Sequence, residues 1–572
     1  MIDLFSFQKH HIPDIHLLIN RRHPRKGKYE NKKLTNTLLK YNGILWAKQI
    51  YLQRVFRKAV RCPGKSVRGP SNYQGLFNDF HFSTQWYLQD CRESSSHIQY
   101  DLNVVPVWNY YKIFGNNIKV MVIDDGLQID HPDLRRNYDP VFGYDFVDYV
   151  DSPLPDKGFS HGTHMAGIIA MQANNQICGV GIAPLATLGA VRLVEDKVIS
   201  DDQTAQAFTF QVKDLDISNN SWSMGDDGKA LAELSPVIEN AIKVAILEGR
   251  QSKGLIFVFL TGNEKQNGDT CAHDPYTSLI YTITVAGVKH DGSIISYSER
   301  CSNILVTAYS GDNGYGPTGH IVTTTTNSKC DTWVDGTSYA TAIVSGVVAL
   351  ILEANNDLTW RELQHVFAWT SQVAALAHNK TWFRNKAGLY ISQDFGFGLV
   401  DAFEAVTFAM FMKHIPSMNS CVLVPKIIKE DAAFNRKQAL RIKMATNGCK
   451  NLPSEVNYIE HVQLMVSVEH QRRGAIQIQL VSPSGTQSTL LEKRPLDRSK
   501  IGLKKWFMDT VHLWAESPQG VWSIIFYDRG RLSSAQGTVT EIALIIHGTK
   551  YQPPHYIRNR TYKKFPQSVE NI

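Results

Sequence analysis

The sequence predicts an α/β domain built on a parallel sheet, followed by an all-β module. From about residue 100 to 412, short β-branched runs alternate with helix-length apolar or amphipathic segments. The runs IKVMVID, GLIFVFLTG and IYTITVAGV are apolar throughout, as strands covered on both faces of a parallel sheet are. From about 420 to 548 the alternation shortens to strand length in IQIQLVSPSGT, GVWSIIFYD and EIALIIHGT, with turn residues between them. A chain of 572 residues is also too long for a single core, so several domains are expected.

Residues 1 to 68 hold 16 Lys and Arg against 3 Asp and Glu, and end in a Gly/Pro/Ser loop carrying Lys65-Ser-Val-Arg68, a basic site open to trypsin-like cleavage. The rest of the chain holds 44 basic and 50 acidic residues, so the formal charge of +7 belongs to this leader alone. A nucleic-acid partner would need a basic patch on the folded body, and the body is acidic. A basic leader beside an acidic body suggests instead that the two bind each other. No apolar run reaches the roughly 18 residues that a membrane span needs, so no transmembrane anchor is expected. The start, MIDLFSFQKHHIPDIHLLIN, lacks an uninterrupted apolar region and cleavage site, and the N-terminus is expected to be incomplete. Eight cysteines, an even number, and the sequons Asn379-Lys-Thr and Asn559-Arg-Thr fit an exported glycoprotein.

Two helices are well signalled. One begins at Ser338 and runs through AIVSGVVALILEAN, apolar on nearly every face and therefore buried. The other starts at Thr359, where Thr359-Trp-Arg-Glu362 fits a capping box ahead of LQHVFAWTS. The tail from 551 to 572 contains Pro, is basic and is expected to be loose.

Candidate chemistry collects at four places. Strand IKVMVI runs into Asp124-Asp125-Gly126, and strand C-terminal ends are where open α/β sheets build sites. SHGTHMAGIIA puts His161 at the head of a small-residue run. His164 makes an i, i+3 pair with it, but no HExxH pattern or third ligand supports a metal there. FLTGNEKQNGD sets Asn263 after a buried strand and a glycine, so that its amide can point at a developing oxyanion. VDGTSYATA places Ser338 at a helix start, where unpaired N–H groups favour negative charge. Singly, each residue suits an ordinary loop or cap.

Together, in the order Asp, His, Asn, Ser, each with its own flanking run, they resemble the subtilisin superfamily of serine endopeptidases. Longer runs are similar to the kexin-like proprotein convertases: VIDDGLQIDHPDLRRNYDP, HGTHMAG, ANNQICGVGIAP, NNSWSMGDDGK, CAHDPYTSLIY and YSERCS. Past the catalytic unit, EHVQ, RRGAIQIQLVSPSGT, STLLEKRP and IIHGT resemble that family's P domain. SKIG before the Lys-Trp pair and the HGT ending look nearest the neuroendocrine convertase 2 type, although Asn263 stands where that type carries Asp.

The resemblance implies a propeptide over 1–68, a catalytic domain of subtilisin-like parallel-sheet fold over 69–412, a jelly-roll-like P domain over 413–550 and a tail over 551–572. It further implies a calcium-dependent peptidase of the secretory pathway that cuts precursor proteins after Arg or Lys, first its own inhibitory propeptide at Arg68. Ser338 would be the nucleophile, His161 the general base, Asp124 its partner and Asn263 the oxyanion donor. Substrate would be held by Ser221, Trp222 and the acids Asp226 and Asp274 at P1, with Asp125 facing P2. One calcium site would use Asp79, Asp133 and Asn175 with the carbonyls of Gln172, Ile177 and Gly179; a second, behind the P1 pocket, would use Asp226, Asp269 and Glu299. Disulfides expected by similarity are Cys178–Cys330, Cys271–Cys301 and Cys421–Cys449, which leaves Cys62 and Cys91.

Several positions depart from the family pattern. Tyr339 stands where a small residue follows the nucleophile, so its ring either occludes leaving-group space or folds away. Ala342 replaces a proline, and Ser223-Met224 follow the Ser-Trp pair in place of Gly-Pro. Acids near the P4 pocket are replaced at about Thr204 and Ala232, and Gly158 and Phe159 stand just before His161 where acids often serve P2, which predicts retained P1 preference with relaxed demand at P2 and P4. The rival reading is an inactive convertase-like protein that binds peptides or partners; a binding protein acting through the β module would leave the four catalytic residue types unexplained.

Overall fold

The computed structural model describes residues 5–9, 16–20, 76–88, 101–194, 199–224, 227–311, 319–424, 432–530, 535–557, 560 and 562. Arg68, Cys62, Cys91, Asp226 and Asn559 lie outside them. The chain divides into two units, Met1–Pro63 and Gly64–Ile572. In the first, β1 (Phe5–Lys9) pairs antiparallel with β2 (His16–Asn20), Phe5 opposite Asn20.

The second unit opens with the expected parallel sheet. Strands β3 (Lys119–Asp124), β4 (Tyr138–Asp145), β5 (Thr187–Arg192), β6 (Ile217–Asn220), β7 (Ile256–Leu260), β8 (Thr282–Val288) and β9 (Val306–Tyr309) lie in the order β4-β5-β3-β6-β7-β8-β9, every pair parallel. Strand periodicity sends alternate residues to opposite faces: Val120 and Val122 of β3 enter one core, Met121 and Ile123 the other. Helices α1 (His161–Ala170), α2 (Asp201–Thr209), α3 (Pro236–Ser252), α4 (Thr337–Ala354), α5 (Trp360–Thr370) and α6 (Ala402–Met410) cover these faces. Residues of α1, α4, α5 and α6 fill the first core, and those of α2 and α3 the second. From β3 the chain runs outward to β4, returns to β5, then crosses β3 to β6, so the strand order reverses beside β3. That reversal is where α/β sheets open a crevice at their C-terminal ends.

Against the expectation from apolar runs, helix α4 is by length and composition apolar enough to cross a membrane, but 89% of it is buried within the protein, where it forms the spine of the first core. Its start depends on Gly336, whose φ of 139° and ψ of 153° belong to a region essentially reserved for glycine. The predicted capping box is formed: Thr359 Oγ1 accepts from the Glu362 N–H, and Glu362 accepts from the Thr359 N–H. Two hairpins, β10 (Ile321–Thr325) with β11 (Lys329–Val334) and β12 (Trp382–Arg384) with β13 (Tyr390–Ser392), flank the helices.

From Met418 the strands are antiparallel. β14 (Met418–Leu423), β15 (Ala433–Asn435), β17 (Tyr458–His470), β20 (Leu503–Thr510) and β22 (Gln536–Thr549) make one sheet. β16 (Leu440–Thr446), β18 (Ile476–Val481), β19 (Gln487–Leu491) and β21 (Gly520–Asp528) make the other. Their inward residues, among them Leu464, Ile478, Trp522 and Phe526, share one core that also takes in Cys271, Ala272 and Cys301 from the parallel-sheet domain. The two domains of this unit therefore meet through packed apolar surface just after β7. Disulfides join Cys178 to Cys330, Cys271 to Cys301 and Cys421 to Cys449.

Candidate active site

Asp124 ends β3 and His161 opens α1. The imidazole Nδ1 lies 2.8 Å from Asp124 Oδ1 and 3.0 Å from Oδ2. The next residue, Asp125, fixes this pairing from below: its Oδ2 accepts from the His161 backbone N–H at 2.9 Å and its Oδ1 from the Gly162 N–H at 2.7 Å. A carboxylate thus caps the first turn of α1, where the helix dipole favours it. Glycine is required after the histidine, because a Cβ there would sit 2.2 Å from the Gly126 carbonyl oxygen.

Charge at this corner is closely spaced. Burial pushes Asp125 up, and the neighbouring Asp124 charge adds to it, reaching about 6. For His161, burial acts downward, but the charge and hydrogen bond of Asp124 and the charge of Asp125 outweigh it, raising the imidazole to about 9. The His161 side chain is 36% exposed, so water screens part of that attraction.

Ser338 lies in the first turn of α4 and makes a reciprocal pair with Ser221, which follows β6. The Ser338 Oγ–H donates to the Ser221 carbonyl at 3.1 Å, and the Ser221 Oγ–H donates to the Ser338 carbonyl at 3.2 Å. Asn263 follows β7, and its Oδ1 accepts from both the N–H and the Oγ1–H of Thr337, each at 3.0 Å. These bonds orient the amide against the residue preceding Ser338. Trp222 donates its indole N–H to the Ile123 carbonyl at 2.9 Å and packs its ring on Phe208, Phe259 and Tyr276, so it serves as the wall carrying Ser221.

Tyr339 folds inward. It is 6% exposed, its hydroxyl meets His164 Nδ1 at 2.9 Å, and its ring stands edge-on to His161 at 6.2 Å between centroids. His164 Nε2 in turn meets Thr325 Oγ1 at 3.0 Å. Burial and the nearby His161 push His164 down to about 4, which keeps it neutral.

A small pocket beside Ser221 is lined by Ser223, Thr261, Asp269, Asp274, Glu299 and Arg494. Asp274 is anchored there: Oδ1 accepts from the N–H groups of Tyr276 and Thr277, and Oδ2 from that of Met224. Of the two expected P1 acids, Asp274 lies in this pocket and Asp226 is outside the described residues.

The two expected cation sites differ in fit. At the first, Asp133 and Asp79 are both buried, and Asn175 donates to Asp133 Oδ1 at 2.7 Å. Asp79 accepts from the N–H groups of Asn174 and Asn175. The Asp133 carbonyl accepts from the Gln172 N–H, and Asp133 Oδ2 is buried without a hydrogen-bond partner among the described residues. Two buried carboxylates with an orphaned oxygen suit a hard cation. At the second, Asp269 accepts four hydrogen bonds, from Thr270 N–H and Arg494 Nε on Oδ1 and from Gly228 N–H and Arg494 Nη2 on Oδ2. A carboxylate has about four lone-pair sites. Asp269 as placed does not fit the role of a calcium ligand. Among the described residues, no group of three or more His, Cys, Asp or Glu converges as a metal cluster.

Sequence reasoning does not reach Arg494 or Thr337 as participants, and it leaves His164 and Tyr339 unpaired. Arg494 was visible in STLLEKRP only as part of a family match. Thr337 and the His164–Tyr339 pair act through contacts that no local run displays.

Comparison with known proteins identifies the two domains. Residues 115–398 match the subtilase family and residues 459–546 the proprotein convertase P-domain. The chain belongs to the subtilase family of serine proteases. Within it, the P-domain places the chain among the proprotein convertases. It is 38% identical over 520 residues, 90% of this chain and 52% of the relative, to human proprotein convertase subtilisin/kexin type 6. It is 36% identical over 479 residues to furin-like protease 1, isoform 1-CRR, of Drosophila melanogaster, covering 83% of this chain and 42% of that one. The chain thus spans about half the length of the curated relatives it matches. Its fold is similar to that of the Aeromonas sobria serine protease, with a TM-score of 0.71 at 23% identity over 83% of this chain and 96% of that one.

Proposed function

We propose that this protein is an endopeptidase that processes precursor proteins by cleaving after Arg or Lys, beginning with its own leader at Arg68. The observation that carries the reading is the Asp124–His161 pair at 2.8 Å at the C-terminal end of β3, with Ser338 bonded to Ser221 at the end of the neighbouring β6 and Asn263 bonded to Thr337 beside Ser338.

In this reading, the Ser338 hydroxyl leaves the Ser221 carbonyl and turns its proton to His161 Nε2 as Oγ attacks the peptide carbonyl carbon. Apo sites often hold such bonds long or misdirected until substrate binds. Asp124 keeps Nδ1 protonated and stabilises the imidazolium, which then protonates the leaving amine. Water, activated by the same His161, hydrolyses the ester. The Ser338 backbone N–H and the Asn263 amide stabilise the oxyanion, each donor lowering the barrier by about 3 kcal/mol. Asp274 and Glu299 in the adjoining pocket favour a cationic P1 side chain.

Asp79, Asp133 and Asn175 would hold calcium, whose charge neutralises the two buried carboxylates. Precursors with basic sites are the substrates, the basic leader is an intramolecular inhibitor, and the secretory pathway is the setting in which three disulfides form.

The test is N-terminal sequencing of purified protein held with calcium. The wild type is expected to yield a new terminus after Arg68 and Ser338→Ala to remain whole. A wild-type chain that never converts itself would favour the inactive binding protein.

A further inference from the structure

We propose that the guanidinium of Arg494, carried in from the β-sandwich domain, is the permanent cation behind the P1 pocket, and that Asp269 is therefore not a calcium ligand. Arg494 is 1% exposed. Its Nε and Nη2 grip both oxygens of Asp269, at 2.7 and 2.9 Å, in the planar fork geometry that guanidinium and carboxylate share. With the N–H groups of Gly228 and Thr270 on the same two oxygens, every acceptor direction of Asp269 is filled. A calcium ion would have to displace one of these donors and would stand against a fixed positive charge.

The arginine is itself held from several sides. Nη1 donates to the Ala230 carbonyl at 2.5 Å and lies 3.8 Å from Asp497. Asp497 accepts from Arg473 Nε at 2.6 Å, and Arg473 Nη2 donates to the Lys229 carbonyl at 2.9 Å. Two arginines of one domain thereby clamp residues 228–230 of the other, with the same Asp269 that lines the pocket at the centre. A buried carboxylate stripped of such a partner is strongly destabilised. A ready-made cation also removes any need for a diffusible one, so this wall of the pocket keeps its geometry whatever the calcium level.

The inference does not depend on peptidase activity, because its readout is bound calcium. Equilibrium dialysis of the full chain against calcium, followed by atomic emission, counts ions per chain in the wild type, in Asp269→Asn and in the double variant Asp269→Asn/Arg494→Met. The double variant leaves neither charge stranded and guards against simple misfolding of the single one. Equal calcium counts are expected in all three. A loss of one ion per chain in the double variant would overturn the proposal. A second measurement uses Arg494→Met alone, where the vacated place beside Asp269 can accept calcium. Its melting temperature is expected to rise on calcium addition by about 3 °C more than that of the wild type. An identical calcium response would show that the guanidinium occupies no cation site.

Discussion

The Tyr339 hydroxyl lies 2.9 Å from His164 Nδ1, and between them the two side chains form the wall against which His161 stands. The bulky residue after the nucleophile is thus absorbed into the protein and leaves the cleft to substrate. Tyr339→Phe keeps the ring and loses one hydrogen bond, so about 1 kcal/mol of stability is expected to go while kcat/KM changes little. Tyr339→Ala removes a buried ring and is expected to cost about 3 to 5 kcal/mol in chemical unfolding. Across a panel of P1′ residues, the ratios of kcat/KM should match those of the wild type in both variants. A selective gain for bulky P1′ residues in Tyr339→Ala would place the ring in leaving-group space.

Asp124→Asn tests the pair that carries the mechanism. Without the carboxylate, burial is left to act on His161 from below, and its pKa is expected to fall from the raised position near 9. The wrong tautomer of the imidazole is also favoured, which in comparable triads lowers kcat about 10⁴-fold. Imidazole titration followed by NMR and pre-steady-state kinetics together check both. An unchanged His161 titration would break the assignment.

Asp125 titrates at about 6 because burial and Asp124 oppose its charge. The folded state holds this proton more tightly than the unfolded chain, so the associated stability is present below about 4 and is lost as pH rises through about 6. Asp125→Asn is expected to abolish that step. In the other direction, protonating Asp125 removes an acceptor from the start of α1 and a negative charge from beside His161. The acid limb of kcat/KM should therefore carry a component near 6 that is absent from Asp125→Asn.

Asp124, His161, Asn263 and Ser338 are legible in the sequence because each sits in a short run whose shape is local: a strand end, a helix head, a post-strand turn and a Gly-Thr-Ser helix start. The parallel sheet is legible for the same reason, since β3, β7 and β8 are apolar on both faces. What is hidden depends on distance in the chain. Arg494 meets Asp269 across 225 residues, and nothing near either residue announces the other. Tyr339 is ambiguous alone and becomes a wall residue only when His164 is brought to it by α1. Asp125 reads as a substrate-facing acid, while its two carboxylate oxygens are engaged by backbone N–H groups of α1.

Where the two domains of the second unit meet, buried histidines make an acid-labile seam. Burial pushes His512 down to about 3. His547 is lowered to about 4 by burial and by His461, against the pull of Glu460. His365, bonded to Glu460 at 3.0 Å beside Arg361, is also held below its ordinary value by burial. These groups exclude a proton that the unfolded chain accepts, so stability is lost as pH falls below about 6.5; between there and about 4, His512 and His547 each contribute about 1.4 kcal/mol per pH unit, and His365 acts in the same direction. Guanidinium unfolding is expected to show a lower midpoint at pH 5 than at pH 7. His512→Asn and His547→Gln should each flatten that dependence by about one proton. A stability profile equally steep in the variants would assign the acid lability elsewhere.

At the first cation site, the two measurable effects run in opposite directions. Asp133 and Asp79 are buried together with an orphaned oxygen on Asp133, so removing calcium should leave mutually repelling carboxylates. With free calcium at 100 times its dissociation constant, the bound ion stabilises by about 2.7 kcal/mol. Chelation is therefore expected to lower the melting temperature by several degrees. Asp133→Asn removes one of the charges, so in chelator it should melt above the wild type, yet show little further rise when calcium is added. Calorimetry with and without chelator distinguishes these outcomes. A wild-type melting temperature that chelation leaves unchanged would remove calcium from Asp79, Asp133 and Asn175.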